Sequence, residues 1–385
     1  MVYFLTRSLY PYDRTGGGLA RYNQIQNFES NGIQVIAVLP KKIQKNDVRV
    51  LGYPFNGSIK FNMILQRVGI YEDYLDPWVD SAFASLSLIV KKTDVIVATS
   101  GGELGMLKLA MKLKTKVGCK YIANLHDPID YSIINGKKID RKFHVSREIN
   151  VKKILSSADF IVTSSEKYKK HLSGFLGKTK CVVNAYFGYK EEVFLNSRVL
   201  SIDKKINIAY IGNMGSTQSP EILYDAWLKC KNKCHIDIHF VGNTASMIKR
   251  RGPMDGAKFP GYLLGSELSK YLKNKVDVAF FSLSSDYLGL CVPSKFFDYI
   301  NYELPIIASL PKGDVRDYII EKEVGIVCNI NEIQCLANSM DDICDKGLYE
   351  AAVKNIQKIK PRWLFNKQQQ VLVDLINDVA DAHKC

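Results

Sequence analysis

The chain has 385 residues, of which 46% are hydrophobic and 24% are charged. This composition excludes a disordered, collagen-like or coiled-coil protein, and the length suits two domains of roughly 150–200 residues each. The longest apolar stretch, 81–90, is too short to cross a bilayer, and the first seven residues lack the basic segment of a signal peptide. We therefore expect a cytoplasmic protein.

The net charge of +14 is confined to one half of the chain. Residues 1–190 contain 29 Lys and Arg against 15 Asp and Glu, whereas residues 191–385 contain 24 of each class. A basic half favours contact with an anionic surface, such as membrane headgroups, a lipid-linked phosphate or nucleic acid. A basic face that serves only solubility explains the same count, so the partner stays open at this point.

The nine cysteines are odd in number and include no C-x-x-C pair. This usage predicts reduced thiols, and it argues against both a disulfide framework and a structural zinc site.

Short β-branched runs alternate with helical stretches along the chain. Strands are predicted at 2–6, 33–39, 94–99, 119–125, 160–163 and 180–187, and the alternation restarts with strands at 206–211, 235–241, 276–281, 305–309 and 325–328. Apolar strands separated by helices are typical of parallel sheets covered on both faces. The sequence predicts two Rossmann-like doubly wound α/β domains, 1–190 and 206–364, with a linker at 191–205 and a C-terminal helix at 365–385.

The segment 284–308 joins a predicted strand to a predicted helix. Ser294 is predicted to cap this helix, because serine hydroxyls accept the unpaired N–H groups at helix starts. A helix start attracts anions, and Lys295 adds a full positive charge beside it. Asp298 lies one turn further on the same side, where a carboxylate can accept hydrogen bonds from ribose hydroxyls. These features predict a nucleotide diphosphate site, although a plain capped helix would show the same residues.

The same segment resembles a motif of retaining GT-B glycosyltransferases, in particular glycosyltransferase family 4. The shared residues are the run 293–299 (Pro-Ser-Lys-Phe-Phe-Asp-Tyr) and the run 304–308 (Leu-Pro-Ile-Ile-Ala). In that family the helix start binds the donor diphosphate and the acid binds the ribose. The resemblance thus implies that Ser294, Lys295 and Asp298 bind a nucleotide sugar across a cleft between two domains.

Further matches follow in the expected order along nearly the whole chain. Gly17 and Gly18, which belong to a run of three glycines after the first strand, look like the family's glycine loop near the donor phosphate. His126 looks like the family's histidine beside the transferred sugar. The remaining matches are strand-end motifs, at 157–165, 183–185, 211–215 and 241–243.

The sequence departs from the family pattern at the sugar-binding carboxylates. The first of the family's two glutamates falls on Leu290, which cannot bind a sugar hydroxyl. Asp286 in the same loop is our candidate for that catalytic position, and backbone N–H groups near Gly289 are the alternative.

A second departure concerns the cations of the diphosphate site. The family's phosphate-binding Arg and Lys align with Asn213 and Gln218, which carry no charge. A departing diphosphate needs cations or dipoles aimed at it, so Lys295 and one of Lys249, Arg250 or Arg251 are the expected replacements. The base is expected near Tyr262, since base recognition in this fold uses backbone groups.

An acceptor would approach the loop that follows the His126 strand. Basic residues of this loop are interleaved with aromatic ones, and Arg141 and Arg147 are predicted to bind an acceptor diphosphate. Solvated basic faces would give the same pattern.

The leading hypothesis is a retaining, metal-independent glycosyltransferase for surface polysaccharide synthesis. It would move a hexose from a UDP- or GDP-linked donor to a lipid-linked or oligosaccharide acceptor, with no cofactor and no nucleic acid partner. The basic half would rest on the anionic inner face of the cell membrane. The alternatives are a sugar-nucleotide epimerase of the same architecture and a non-catalytic nucleotide-sugar or glycan-binding protein; an NAD-dependent oxidoreductase is disfavoured because no G-x-G-x-x-G follows a strand.

Overall fold

The structure is a computed structural model, which describes residues 1–13, 15–41, 43, 49–54, 58–129, 133–134, 137–138, 144–177, 180–195 and 204–381. The chain forms two compact units. Unit 1 comprises Met1–Phe187 and Asn366–Cys385, and unit 2 comprises Gly188–Phe365. The predicted linker at 191–205 lies partly outside the described residues.

Unit 1 is built on a seven-stranded parallel sheet. The strands of the large sheet are β1 (Val2–Leu5), β2 (Val35–Leu39), β3 (Val50–Gly52), β4 (Val95–Gly101), β5 (Lys120–Asp127), β8 (Phe160–Thr163) and β9 (Val182–Asn184). Between β5 and β8 in the chain, β6 (Ile133–Ile134) and β7 (Lys137–Lys138) form a separate antiparallel pair. The order in the large sheet is β3-β2-β1-β4-β5-β8-β9.

Helices cover this sheet because its strands are apolar on both faces. They are α1 (Gly16–Ser30), α2 (Ile59–Arg67), α3 (Asp76–Ile89), α4 (Gly105–Val117), α5 (His144–Ser157) and α6 (Glu166–Leu176). Phe4 and Val97 on the central strands are fully buried, and they share a core with Phe28 of α1.

Unit 2 repeats the plan with six parallel strands. They are β10 (Ile206–Ile211), β11 (Ile236–Val241), β12 (Lys258–Gly261), β13 (Val278–Ser282), β14 (Ile306–Ser309) and β15 (Gly325–Cys328). The order is β12-β11-β10-β13-β14-β15, which is the doubly wound arrangement. The predicted fold class is therefore confirmed for both units.

The helices of unit 2 lie on both faces of its sheet. They are α7 (Ile222–Lys229), α8 (Ala245–Arg251), α9 (Gly265–Lys275), α10 (Lys295–Asn301), α11 (Asp314–Glu321), α12 (Ile333–Asp342) and α13 (Lys346–Ile359), with short 3-10 helices at Lys233–His235, Asp286–Leu290 and Lys360–Trp363. The chain ends in α14 (Phe365–Asp381), whose residues Leu372 and Ile376 are buried in the core of unit 1.

Besides the short antiparallel pair β6 and β7, two strands of the parallel sheets escaped the sequence prediction for physical reasons. β3 has only three residues, all half-buried, so no apolar run marks it. β12 lies at the sheet edge and contains Pro260, a residue that sequence patterns associate with turns but that edge strands tolerate.

The cysteine prediction is wrong for one pair. Cys328, at the end of β15, is disulfide-bonded to Cys335 in the first turn of α12, with the two Cα atoms 5.8 Å apart. Seven positions of sequence separation give no signal for this pairing, because it arises where a strand and the following helix pack together. The other cysteines in the described part of the chain are not disulfide-bonded.

In the described ranges, no helix combines the length and the apolar character that a membrane span requires.

Candidate functional site

The candidate site of unit 2 lies at the carboxyl end of its sheet, where the strand order reverses between β10 and β13. Gly212, with φ of 116°, opens the turn after β10, and Gly242, with φ of 148°, follows β11. A Cβ atom on residue 242 would lie 2.3 Å from the Gly212 carbonyl oxygen. The two turns therefore pack backbone against backbone, which requires glycine at position 242.

Lys295 lies half-buried beside the turn at Gly212. Its Nζ donates to Tyr210 Oη at 2.6 Å and lies 4.2 Å from the centre of the Tyr210 ring. The Tyr210 hydroxyl in turn donates to the Asn213 carbonyl oxygen at 2.6 Å. Desolvation lowers the pKa of Lys295 to about 7, and Asp298 opposes this shift. The turn is thus tied to a cation that needs a negative partner to keep its proton.

Ser294 and Asp298 both remain exposed on α10, one turn apart. The predicted capping role of Ser294 is wrong: its backbone is helical, with φ of −56° and ψ of −32°, and its side chain caps nothing. The turn already begins at Pro293, whose carbonyl oxygen accepts the Phe296 N–H at 3.0 Å. The Ser294 hydroxyl is therefore not used to start the helix.

Two opposing effects act on the Asp298 carboxyl group. Desolvation raises its pKa to about 6, while the Lys295 ammonium lowers it. The desolvation exceeds the effect of Lys295, so the net shift is upward, but the pKa stays below 7. Asp298 is then largely ionised at neutral pH.

Aromatic side chains hold α10 in place behind these polar residues. Phe296 and Phe297 pack against Trp363, with ring centres 5.9 Å and 5.2 Å apart. The Tyr299 hydroxyl donates to the Phe280 carbonyl oxygen at 3.2 Å, which fixes the helix to the middle of β13. The exposed side of α10 is therefore presented on a rigid support.

The two uncharged positions lie in the turn after β10. Asn213 is exposed, whereas the Gln218 side chain accepts a hydrogen bond from Thr217 Oγ1 at 2.9 Å. The Gln218 carbonyl oxygen accepts the Ser282 hydroxyl at the end of β13, so the turn is fastened to both strands that flank the switch point.

Arg250 is engaged by protein groups. Its Nε lies 3.0 Å from Glu221 Oε1, and its Nη2 donates to the Met214 carbonyl oxygen at 3.0 Å. Arg251 is likewise paired with Asp225 at 2.7 Å. Arg250 thus braces the turn after β10, and Lys295 is less committed than either arginine.

An open pocket of about 690 Å³ adjoins the ends of β11 and β12. It is lined by Gly242, Asn243, Thr244, Ala245, Ile248 and Tyr262. The Tyr262 ring is 63% exposed there, which leaves its face open for stacking. Asp286, the predicted sugar-binding acid, is exposed at the start of its 3-10 helix.

In unit 1, the glycine loop opens α1. The Thr15 hydroxyl accepts the Gly18 N–H at 3.2 Å and caps the helix. A Cβ atom on residue 18 would lie 2.4 Å from the Asp13 carbonyl oxygen, and one on residue 17 would lie 3.1 Å from Arg21 Nη1. The Asp13 backbone and the Arg21 side chain therefore pack closely against these two glycines, and a larger residue at position 18 cannot fit.

His126 ends β5 within a buried polar chain. Its Nε2 lies 3.2 Å from Gln24 Oε1, and Gln24 donates to Gln369 Oε1 at 2.8 Å. Gln369 donates to the Tyr186 carbonyl oxygen at 2.7 Å. Because Gln24 donates through its amide nitrogen to Gln369, its amide oxygen faces His126 and accepts. His126 therefore carries its proton on Nε2 and keeps a lone pair on Nδ1. Desolvation, then Arg21, lowers the pKa of His126 well below 6.5, so the ring is neutral.

Sequence reasoning missed a charged cluster next to His126. Arg7 Nε lies 3.4 Å from Glu103 Oε2, and Arg21 Nη2 lies 3.8 Å from Glu103 Oε1. The Arg21 and Glu103 side chains are each only 2% exposed. Asp127 and Tyr74 also act on Arg7, whose pKa is raised chiefly by Glu103.

A sequence signal for this cluster exists. Arg7 follows β1 by two residues and Glu103 follows β4 by two residues, and these strands are neighbours in the sheet. Charged residues directly after two buried parallel strands must meet at one edge. Arg21 gives no such signal, because it lies inside a helix.

The two predicted acceptor-binding arginines have different outcomes. Arg147 is buried in α5, where it donates to the Glu72 carbonyl oxygen at 2.9 Å and to the Gly102 carbonyl oxygen at 3.2 Å. It thus joins two loops of unit 1. Arg141 lies outside the described residues. Over the described ranges, no group of three or more His, Cys, Asp or Glu side chains could hold a metal ion.

No protein-family model matches the chain. A curated relative, the probable glycosyltransferase WbjE of Pseudomonas aeruginosa, is 24% identical over 275 residues, which make up 67% of this chain and 68% of that protein. Sucrose-phosphate synthase from Thermosynechococcus elongatus matches 99% of both chains with a TM-score of 0.75 and 14% identity. The chain has the GT-B fold.

Another GT-B neighbour has been solved with ligands. Anabaena HepE, in complex with UDP and glucose, matches 98% of this chain and 99% of its own with a TM-score of 0.68 and 14% identity. At this identity the likeness concerns the fold. In the GT-B chain described above, the exposed polar residues of unit 2 gather at the edge where doubly wound sheets take their ligands.

Proposed function

We propose that the protein is a retaining glycosyltransferase that moves a hexose from a nucleotide diphosphate sugar to a hydroxyl group of a glycan or lipid-linked acceptor. The observation that carries the proposal is the position of Lys295 beside the Gly212 turn of unit 2, at the start of the helix on which Ser294 and Asp298 are exposed. The start of this helix thus offers a cation, a hydroxyl and a carboxylate near the switch point of a doubly wound sheet.

Each of these groups suits one part of the donor. The Gly212 turn and Lys295 suit the diphosphate, because backbone N–H groups and an ammonium bind anions, and a bound anion would restore the proton affinity that desolvation removes from Lys295. Asp298 suits the ribose hydroxyls. The pocket beside Tyr262 is large enough for a base, and the UDP complex of HepE favours uridine.

The reaction exchanges one bond at the anomeric carbon for another. The acceptor hydroxyl oxygen bonds to this carbon, the bond from the carbon to the diphosphate oxygen breaks, and the acceptor's proton passes to the departing diphosphate. The protein contributes mainly by positioning the two substrates and by stabilising the charge on the leaving group. Asp286 is proposed to bind the sugar in place of the missing glutamate.

In unit 1, His126 is the residue that we propose takes part in the reaction. Neutral His126 offers an Nδ1 acceptor in a fixed orientation, which suits a sugar hydroxyl rather than a phosphate. Gly17 and Gly18, at the start of α1, are proposed to lie near the donor phosphate. The basic surface of this half is proposed to rest on the anionic inner face of the cell membrane.

A donor screen tests the proposal. The purified protein is incubated with a panel of UDP- and GDP-sugars and a membrane extract as acceptor, and released nucleoside diphosphate and glycosylated product are measured by mass spectrometry. We expect one donor to give nucleoside diphosphate and product in equal amounts, and Asp298→Asn to reduce both. An interconverted sugar nucleotide without release would instead indicate an epimerase, and binding without turnover of any donor would indicate a binding protein.

A further inference from the structure

The segment 58–70 in unit 1, which contains α2, presents an apolar surface to solvent. Six large hydrophobic side chains of this segment are exposed: Ile59 (47%), Phe61 (56%), Met63 (37%), Ile64 (52%), Val68 (55%) and Ile70 (65%). Within α2 only Asn62 is buried. Single exposed hydrophobic residues are ordinary, but a contiguous group on one short helix marks an interaction surface.

Cations accompany these apolar side chains. Lys60 and Arg67 are seven positions apart and therefore lie on one side of α2, with Ile64 between them. The segment 58–71 contains no Asp or Glu, although it belongs to a chain with 39 of them. Glu72, the next acid, is paired with Lys108 at 2.7 Å. A surface that is apolar and cationic is complementary to an anionic lipid bilayer, because long basic side chains reach the headgroups while the apolar ones enter the acyl boundary.

We propose that α2 and its C-terminal extension to Ile70 are the surface by which the protein docks on an anionic membrane. The inference deepens the proposed function by naming the residues that place the enzyme beside a lipid-linked acceptor. A second copy of the chain would match this surface poorly, because two such faces would bring Lys60 and Arg67 against their own copies without an acid to pair with.

The docking surface leads directly to the charged cluster of unit 1. Gln66 Oε1, in the last turn of α2, accepts the Tyr74 N–H at 3.2 Å. The Tyr74 side chain hydrogen-bonds to Arg7, which belongs to the cluster beside His126. Two hydrogen bonds, through Tyr74, therefore connect the membrane-docking helix α2 to the charged cluster beside His126.

Vesicle binding tests the proposal without any donor or acceptor. Co-sedimentation is measured with vesicles of phosphatidylcholine alone and of phosphatidylcholine mixed with phosphatidylglycerol. We expect the protein to bind the mixed vesicles and the binding to weaken as salt rises. The double variant Phe61→Glu/Ile64→Glu should bind at least about tenfold more weakly, since two carboxylates would have to enter the lipid interface.

A matched control separates insertion from a general change of charge. Leu228 and Ile320 of unit 2 are exposed to similar extents, 45% and 52%, so Leu228→Glu/Ile320→Glu adds the same two charges elsewhere. This variant should bind as the parent does. Equal binding by both double variants would overturn the proposal, as would absence of binding by the parent.

Fluorescence gives a second measurement that does not depend on loss of binding. The three native tryptophans are buried, so Ile64→Trp adds an exposed reporter. We expect its emission to shift to shorter wavelength with mixed vesicles, while that of Ile320→Trp stays unchanged. No shift would contradict the proposal. Sedimentation showing a dimer that Phe61→Glu/Ile64→Glu dissociates would instead assign this surface to a second copy.

The two proposals fail separately. Calorimetry with nucleoside diphosphate is performed on the same preparations in the absence of vesicles. Nucleotide binding without vesicle binding would refute the docking surface alone, and vesicle binding without nucleotide binding would refute the transferase.

Discussion

Replacing Lys295 with methionine removes the cation of the proposed diphosphate site while keeping most of the side-chain volume. The loss of a charge-assisted hydrogen bond costs roughly 1.5–3 kcal/mol, which corresponds to an affinity about 10- to 150-fold weaker. Tyr210 keeps its hydrogen bond to the Asn213 carbonyl oxygen, so the turn should persist in the variant. Thermal unfolding of Lys295→Met should accordingly show an intact fold.

The effect of Lys295 should depend on pH in a defined direction. Desolvation lowers the pKa of this lysine to about 7, so the ammonium form predominates below that pH and the neutral amine above it. Affinity for nucleoside diphosphate should therefore be highest below pH 7 and fall as pH rises. The cation–π contact with Tyr210 favours the charged form and moves the midpoint upward.

The assay is isothermal titration calorimetry with UDP and GDP at about pH 6.5 and about pH 8.5, at constant ionic strength, a range that spans the expected titration. The ligand itself gains charge near pH 6, which affects every variant alike. The informative quantity is thus the difference between the parent and Lys295→Met. That difference should be large at the lower pH and small at the higher one. Lys273→Met, which removes an exposed lysine of the same unit, should follow the parent. Identical pH profiles for the parent and Lys295→Met would refute the assigned role.

Three further pairs of substitutions test other contacts. Gly242→Ala should abolish nucleotide binding and lower the melting temperature, because its Cβ would lie 2.3 Å from the Gly212 carbonyl oxygen. Its control is Gly252→Ala, at a position with positive φ but no neighbour within 4 Å, which should cost only the backbone strain of about 1 kcal/mol. Equal effects of the two variants would contradict the packing argument. Asp298→Asn should weaken nucleoside diphosphate binding by about 1–3 kcal/mol in calorimetry, while Asp286→Asn should lower turnover and leave that affinity unchanged; the reverse pattern would exchange their roles. Glu103→Gln should destabilise the protein by about 3–5 kcal/mol in denaturant titration, since Arg7 and Arg21 lose their buried partner. Glu29→Gln, at the exposed pair with Arg49, should cost under about 1 kcal/mol. Similar losses of stability in the two variants would show that burial of the cluster does not matter.

Much of the fold follows from local patterns in the sequence. The parallel strands were predictable because β10, β11 and β13 are short, mostly apolar runs bounded by glycine or polar turns. The exposed positions of Ser294 and Asp298 were predictable from their spacing of one helical turn. Because parallel sheets bind ligands at the carboxyl ends of their strands, the sequence also predicts the sheet edge after β10 and β13, where the candidate site lies.

Other features depend on contacts that no local pattern encodes. Lys295 could be predicted to be a cation near the turn, but its partner Tyr210 lies 85 positions earlier in the chain, on β10. The chain of amides that orients His126 joins Gln24 to Gln369, which are 345 positions apart. Arg147 and Arg250 illustrate the same point, because a sequence displays a charge without showing which carbonyl oxygens and carboxylates of the protein contact it.

The account rests on nucleotide binding by unit 2, and an electron-density map of crystals grown with UDP tests it most directly. We predict density for two linked phosphates against the Gly212 turn, within hydrogen-bond distance of Lys295 Nζ, with the ribose on Asp298. UDP bound elsewhere on the protein, or an empty turn at a concentration that saturates binding in calorimetry, would contradict the account.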